Sequence, residues 1–522
     1  MTRRTDNPAQ RCLALALIAF GLGGCVVNPV TGKTELAIVT AQQEVQLGEQ
    51  NYLPMQQSQG GVFRLDPTVN DYVRSVGNRV AAVSDRALPY EFVVLNNSVP
   101  NAWALPGGKI AINRGLLDEM QSEAELAAVL GHEVVHAAAR HSAQQMQRGL
   151  LLQALVVGTA VVTSDSDYGQ LATGAANVGA QLLSQSYSRR AELESDLYGM
   201  RYMHTAGYDP QGAVDLQETF LRLAAARGRT GGEFDLFASH PPTQQRLATN
   251  IITASELNAT QSGGMIGTDA FARAMVVLRE AKPAFDAYDA GRKALAADDF
   301  RGAQRFAREA IRLEPREASF YALLGDSEFL QRDYSDAVQH YTDALDRDAT
   351  FFYYHLQRGI ARQRSGAIDN AVVDLKNSLR LFETAPAHYA LGEIAKQRGQ
   401  RNAALGHFER AATGNSDIAR AAQSEMMRLD LGNNPGKYLQ TRGGLDSNGQ
   451  LLVAINNPTS VDVRGLRLEI RYLDGNGQVR SITRSINGTL RGGQSTTAAT
   501  GLGPFVNSSQ FEVSLIGAQI AQ

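Results

Sequence analysis

Leu126-Ala-Ala-Val-Leu-Gly-His132-Glu133-Val134-Val135-His136-Ala-Ala-Ala-Arg-His141 frames the reading of the whole 522-residue chain. Apolar residues at 126, 129, 130, 134 and 135, set among alanines, predict a buried helix. Residues four apart sit one turn above each other, so His132 and His136 present their rings on one face. That is the geometry two imidazoles need to hold one zinc ion, and Glu133 is placed to take a proton from a bound water. A helix that carries two histidines and a glutamate by chance is the alternative, and the surroundings weigh against it.

A third ligand is available downstream. Ser186-Tyr-Ser-Arg-Arg190-Ala-Glu192-Leu-Glu194-Ser-Asp196 carries three acids on a predicted helix. Glu192 and Asp196 share a face and Glu194 points elsewhere. One of the two can bind metal while the other accepts a hydrogen bond from a ligand histidine. A solvated charged face is the competing reading.

Four motifs in order then carry a resemblance: Asn101-Ala-Trp-Ala-Leu-Pro-Gly-Gly108, His132-Glu-x-x-His136, Arg190-x-Glu192-x-x-x-Asp196 and His240-Pro-Pro-Thr-x-x-Arg246. Residues 28 to 255 resemble the CAAX-prenyl-protease/HtpX-like zinc metallopeptidases. The resemblance implies His132, His136 and Glu192 as ligands of one Zn2+ per chain and Glu133 as general base. Asp196 is the candidate for the hydrogen bond to a ligand histidine. In that mechanism zinc lowers the pKa of a water and polarises a peptide carbonyl, and Glu133 passes the water proton to the leaving amine. Ser195 stands where the family more often has alanine.

His240 follows Ala238-Ser239 and precedes two prolines, which bias it toward an extended backbone at a helix entrance. Three jobs are open to it. It can donate to a developing oxyanion, take a fourth metal position as a latch, or cap the helix. The latch is the favoured one.

A net charge of −3 and a pI near 6.3 exclude a general nucleic-acid role. Arg3, Arg4 and Arg11 precede an apolar run, Leu13 to Phe20, and Leu22-Gly-Gly-Cys25 follows. The run is too short to span a membrane and has the order of a signal peptide, expected over 1–24. Cys25 resembles the lipidated cysteine of a bacterial lipobox, and Val26 favours sorting to the outer membrane. The two cysteines, Cys12 and Cys25, leave no sulfur for a disulfide or a metal in the mature chain. Asn28 to Lys33 reads as a turn-rich tether.

Residues 41 to 83 have helical spacing, with breaks expected at Pro54, Gly60-Gly61 and Pro67. Tyr90 to Leu95 predicts a strand, and Trp103 to Ile112 two more that turn at Gly107-Gly108. Strands just before such a helix offer an edge to an extended substrate, and Asn101 and Ala102 are the candidate contacts. A plain loop held by Asn101 is the alternative. Leu150 to Val162 is apolar but shorter than a span, so a core helix is expected, with a membrane-facing or lid element as the minority reading. Asp165 and Asp167 are expected to be solvated. One amphipathic helix is expected over Phe271 to Glu280.

Glycines 291, 325, 359 and 392 then recur at intervals of 34, 34 and 33. Ala303, Ala337, Ala371 and Ala404 keep the register, as do Ala307, Tyr341, Leu375 and Phe408. Period and positions match the tetratricopeptide repeat, whose arrays offer a concave face to protein partners. After about 440 the pattern changes to period two. Strands are expected over 450–456, 463–473, 479–486, 494–500 and 510–516, as a β-sandwich for docking.

The chain is thus read as multidomain: an α+β, mainly α, zincin-type metallopeptidase domain over 25–255, a linker and bridging helix over 256–286, an α-solenoid over 287–430 and a β-sandwich over 440–522. Pairing such a domain with repeats resembles envelope proteases that act in quality control of outer-membrane proteins. The expected partners are protein or peptide substrates, a protein on the solenoid and a membrane through Cys25. The expected place is the periplasmic face of the outer membrane. Two other readings stay open: a chaperone or scaffold working through the repeats with a latent peptidase, and a membrane-embedded prenyl-protein protease.

Overall fold

The computed structural model describes residues 24–145, 187–227, 240–260 and 263–521. The expected signal segment, the apolar stretch at 150–162, and Asp165 and Asp167 lie outside them, Gly24 excepted. Two compact units divide between Tyr354 and His355.

Gly24–Val27 (β1) and Thr34–Ala37 (β2) form an antiparallel hairpin. The turn between them differs from the expected tether, because it is docked. Asn28 is fully buried and its amide donates to Ala139 O at 3.0 Å and to Glu35 Oε1 at 3.0 Å. Ala41–Ser58 (α1) starts at Thr40 with a capping box and runs through Pro54, where a break was expected. Burial of Met55, Gln56 and Gln57 beyond the proline holds the last turn against that local preference. Pro67–Ala81 (α2) does begin at its proline, with Asp66 as N-cap.

Glu91–Leu95 (β3), Ala102–Leu105 (β4) and Lys109–Asn113 (β5) form one sheet in the order β3-β5-β4. β4 and β5 are the expected antiparallel pair, and Gly107 and Gly108 turn between them at φ +79° and +87°, where a side chain would be strained. β4 is therefore an edge strand. One face of the sheet shares a core with Val73, Val76 and Val80 of α2 and with the histidine helix.

That helix is Glu123–Ala138 (α3), capped by Ser122, whose hydroxyl accepts from Glu125 N. All its residues are buried, because it runs through the middle of the domain. Arg140 ends it at φ +64°, in the left-handed region. Its guanidinium donates to Glu44 at 2.5 Å and to Val39 O at 2.6 Å, which over-determines that conformation. Arg189–Thr205 (α4) crosses α3 where Gly131 meets Gly199; a Cβ at 199 would lie 2.9 Å from His132 N. Gln211–Arg227 (α5) and Gln244–Thr260 (α6) complete the bundle.

The amphipathic helix expected over 271–280 is instead two. Thr268–Ala274 (α7) is followed by Val276–Ala296 (α8), which continues through Gly291 as the first repeat helix. Helix pairs follow: α8 with Phe300–Leu313 (α9), then Ala318–Leu330 (α10) with Tyr334–Arg347 (α11). Next come Phe352–Arg364 (α12) with Ile368–Leu381 (α13), and Ala385–Gln397 (α14) with Arg401–Ala411 (α15). The repeat glycines let paired helices touch. A Cβ at Gly325, Gly359 or Gly392 would lie within 2.9 Å of Tyr341, Leu375 or Phe408 respectively.

In the second unit, Asp417–Asp430 (α16) precedes two three-stranded antiparallel sheets. They are built from Gln440–Leu445 (β6), Leu451–Asn456 (β7) and Ser495–Ala499 (β10), and from Val463–Leu473 (β8), Val479–Leu490 (β9) and Phe511–Ile520 (β11). Leu451, Val453, Leu466, Leu468 and Leu515 share one core between them. β6 is missing from the strands expected by residue number because its Gly443 and Gly444 interrupt the alternation. No described helix is long and apolar enough to cross a membrane.

Candidate metal centre

α3 and α4 lie close enough at their glycine crossing to bring the two sequence motifs face to face. His132 Nε2 and His136 Nε2 are 3.0 Å apart, and Glu192 stands 3.6 Å from the first and 3.4 Å from the second. His240 completes the group: its Nδ1 is 2.9 Å from Glu192 Oε1 and 3.3 Å from His132 Nε2. One ligand atom from each of these four buried residues falls within 4.8 Å of every other.

The sequence-predicted residues thus converge, with two distinctions. Asp196 is outside the group and accepts at 2.9 Å from His132 Nδ1, a contact that would orient that ring if it held a metal. Asn101 and Ala102 sit at the head of β4, both buried. The Asn101 carbonyl accepts from Asn113 N at 2.8 Å, inside the sheet. Antiparallel alternation then turns the backbone groups of Ala102 and Ala104 to the outer edge, where Ala104 O accepts from Ser142 Oγ at 3.2 Å. The capping role weighed for His240 is filled by Thr243, whose Oγ1 accepts from Arg246 N at 3.2 Å.

Arg246 was quoted in a motif but given no job by the sequence. Its Nε and Nη2 donate to the two oxygens of Asp196, each at 2.7 Å, and its Nη1 is 2.8 Å from Glu192 Oε2. It also donates to Pro241 O at 3.3 Å, tying down the loop that carries His240. His141 and Tyr187 were missed altogether; the Tyr187 ring lies 3.9 Å from that of His136. Glu194 is no solvated bystander either, since it meets Lys33, Arg190 and His141. Only the position of His141 after the helix hinted at this. The left-handed Arg140 that turns it inward has no sequence signature.

Charge and chemistry fit a divalent cation. Among the described residues, Glu133, Glu192 and Asp196 are buried with Arg246 and with His132, His136 and His240. With the three imidazoles neutral, as metal ligation requires, the carboxylates outnumber the guanidinium, and a bound cation would offset that buried negative charge. Among the described residues, neither buried Glu133 oxygen has a hydrogen-bond partner. Nitrogen and carboxylate ligands suit zinc. Burial pushes the Glu133 carboxyl up, making it a better proton acceptor. Burial also opposes ionisation of Glu192, but the His240 charge and hydrogen bonds from three histidines prevail and hold it well below the usual range. For His132 burial disfavours the cation, yet the hydrogen bonds to Asp196 and Glu192 carry its pKa up to about 9 in the metal-free protein. His136 is driven well below the ordinary value by burial.

Residues 67–250, which span the whole cluster, match the model of peptidase family M48. That stretch, and not the rest of the chain, is similar to the family. The metal of that family is zinc. Mitochondrial metalloendopeptidase OMA1 of Schizosaccharomyces pombe is 36% identical over 177 residues, covering 34% of this chain and 50% of the relative. A putative beta-barrel assembly-enhancing protease of Vibrio cholerae is 28% identical over 251 residues, 46% of this chain and 51% of that protein. The chain spans about half the length of these curated relatives. Among solved structures, the tetratricopeptide domain of Arabidopsis OM64 matches 23% of this chain and 98% of its own, at 23% identity and a TM-score of 0.22. These likenesses favour a peptidase over the scaffold reading.

Proposed function

We propose that the chain is a zinc-dependent endopeptidase of the bacterial envelope. It is anchored through lipidated Cys25 to the periplasmic face of the outer membrane, and it hydrolyses envelope proteins during assembly or quality control of outer-membrane proteins. The observation that carries the peptidase reading is the buried group of His132, His136, Glu192 and His240 beside Glu133. The printed names of the assembly-enhancing relatives support the biological role.

When bound at this group, zinc supplies activation of a water and polarisation of a peptide carbonyl. The chain's own residues do the rest. His132 and His136 present Nε2, and Asp196, held by Arg246, fixes the His132 ring. Glu133, whose oxygens make no hydrogen bond among the described residues, takes the proton from the attacking water and passes it to the leaving amine. A substrate strand added to β4 would pair at Ala102, with Asn101 holding the head of the strand to β5, and would bring its scissile carbonyl over α3. His240 acts as a latch, its Nδ1 lying among the ligand atoms. The repeats and the C-terminal sheets, arranged as a sandwich, receive protein partners.

Glu133→Gln tests the core of this. The variant should keep about one zinc per chain and lose casein hydrolysis, since an amide cannot accept the proton; full activity would sink the mechanism. Cys25→Ser should abolish lipid labelling and release the chain from membranes. A variant that still pelleted with outer membranes after high-salt washing would remove the anchor.

A further inference from the structure

Behind His136 lies a chain of polar side chains that the proposed reaction does not call on. His136 turns Nε2 toward His132 and Glu192, so a lone pair is needed there and the ring proton sits on Nδ1. That Nδ1 faces His141 Nδ1 at 3.1 Å. Ser195 Oγ approaches the same His141 nitrogen at 3.3 Å. Two donors therefore converge on His141 Nδ1, which makes it an acceptor and places the His141 proton on Nε2. Among the described residues Nε2 makes no hydrogen bond within the usual distance, and Glu194 Oε2 stands 3.6 Å away.

The backbone is built to hold this arrangement. His141 is only five residues beyond His136 and would continue along α3 if the helix ran on. Arg140, at φ +64° and anchored to Glu44, turns it back. At the far end Glu194 is fixed by Lys33 Nζ at 3.2 Å and Arg190 Nε at 2.9 Å. Ser195, the residue that departs from the family pattern, is fully buried and adds its hydroxyl to this chain.

We infer that His141 is a positioning residue for the metal ligand His136. It accepts the His136 Nδ1 proton, is itself oriented by Glu194, and so fixes both the tautomer and the ring plane of His136. The inference rests on the metal reading of the His132, His136 and Glu192 group. A ligand ring without such a partner can flip or carry its proton on the wrong nitrogen, and loss of an orienting partner typically costs about 10–100-fold in metal affinity.

The test uses the full chain loaded with zinc and a chromophoric chelator to follow release. His141→Ala should release zinc about 10–100-fold faster than the parent. His141→Gln offers one amide oxygen to accept from His136 and one NH2 to donate to Glu194, and should recover most of that loss. Glu194→Gln, at a partly exposed position that threatens folding less, should give a smaller acceleration of the same sign. In 15N spectra the His136 ring should report Nδ1–H in the parent and an exchanging mixture in His141→Ala. Release from His141→Ala at the parental rate overturns the inference. So does equal loss in His141→Gln and His141→Ala when both melt like the parent. A parent chain that takes up no zinc would overturn the metal reading itself, which keeps the two failures apart.

Discussion

Gly199→Ala adds one methyl group at the crossing that assembles the metal centre. Its Cβ would stand 2.9 Å from His132 N, 3.0 Å from Gly131 C and 3.1 Å from His132 Cα, all backbone atoms, whereas ordinary contact begins at 3.4 Å. The helices must part by about half an ångström or strain in place, and overpacking of this kind costs about 1–3 kcal/mol. Alanine returns about 1 kcal/mol of helix propensity, so the net loss of stability is about 0–2 kcal/mol, or a few degrees in Tm. The effect on the site should be larger in proportion. Asp196 and Glu192 precede Gly199 by one and two turns on the face that meets α3. A ligand set tolerates about 0.5 Å, and a misplacement of 1 Å is worth about 100-fold, so zinc affinity should fall about tenfold. The measurement is zinc affinity by chelator competition together with thermal unfolding. Gly406→Ala, where a Cβ would meet nothing within 4 Å, is the control and should be neutral or stabilising without touching zinc. Parental zinc affinity and a raised Tm in Gly199→Ala would refute the claim that this glycine pair sets the ligand spacing.

Further outcomes follow from single groups. Asp326 is buried and accepts hydrogen bonds from Tyr341 and Tyr353, each at 2.8 Å, while burial pushes its pKa up to about 6. The folded pKa exceeds the unfolded one, so its contribution is full below about pH 4 and is lost as pH rises through 6, worth roughly 2–3 kcal/mol. Asp326→Asn should accordingly raise Tm at pH 8 and leave it unchanged at pH 4; equal shifts at both would contradict the assignment. His240→Ala should raise basal proteolysis if the ring is a latch. A fall of about a hundredfold or more would instead assign it to oxyanion stabilisation.

The candidate ligand set was legible because it obeys helical arithmetic. A spacing of four puts His132 and His136 on one face, and the same spacing pairs Glu192 with Asp196. The repeats were legible for a similar reason: a period of 33 or 34 survives in any one sequence, and the structure supplies only why glycine recurs, namely the ring or leucine packed against it. Local rules failed where packing outweighed them. Pro54 did not end α1 because the residues after it are buried. β6 was passed over because two glycines hide its alternation.

What only the tertiary structure decided is who meets whom across long stretches of chain. Arg246 lies 50 residues from Asp196, yet it closes the second layer of the site with two hydrogen bonds. His141 faces His136 only because Arg140 adopts a left-handed turn paid for by Glu44, 96 residues away. Asn28 docks on Ala139 across 111 residues, so a stretch that reads as a tether is pinned to the end of the histidine helix. Sequence periodicity fixes the face on which a side chain stands, because backbone geometry is local. The partner on the other side of that face is fixed by packing, which depends on residues that no local pattern connects.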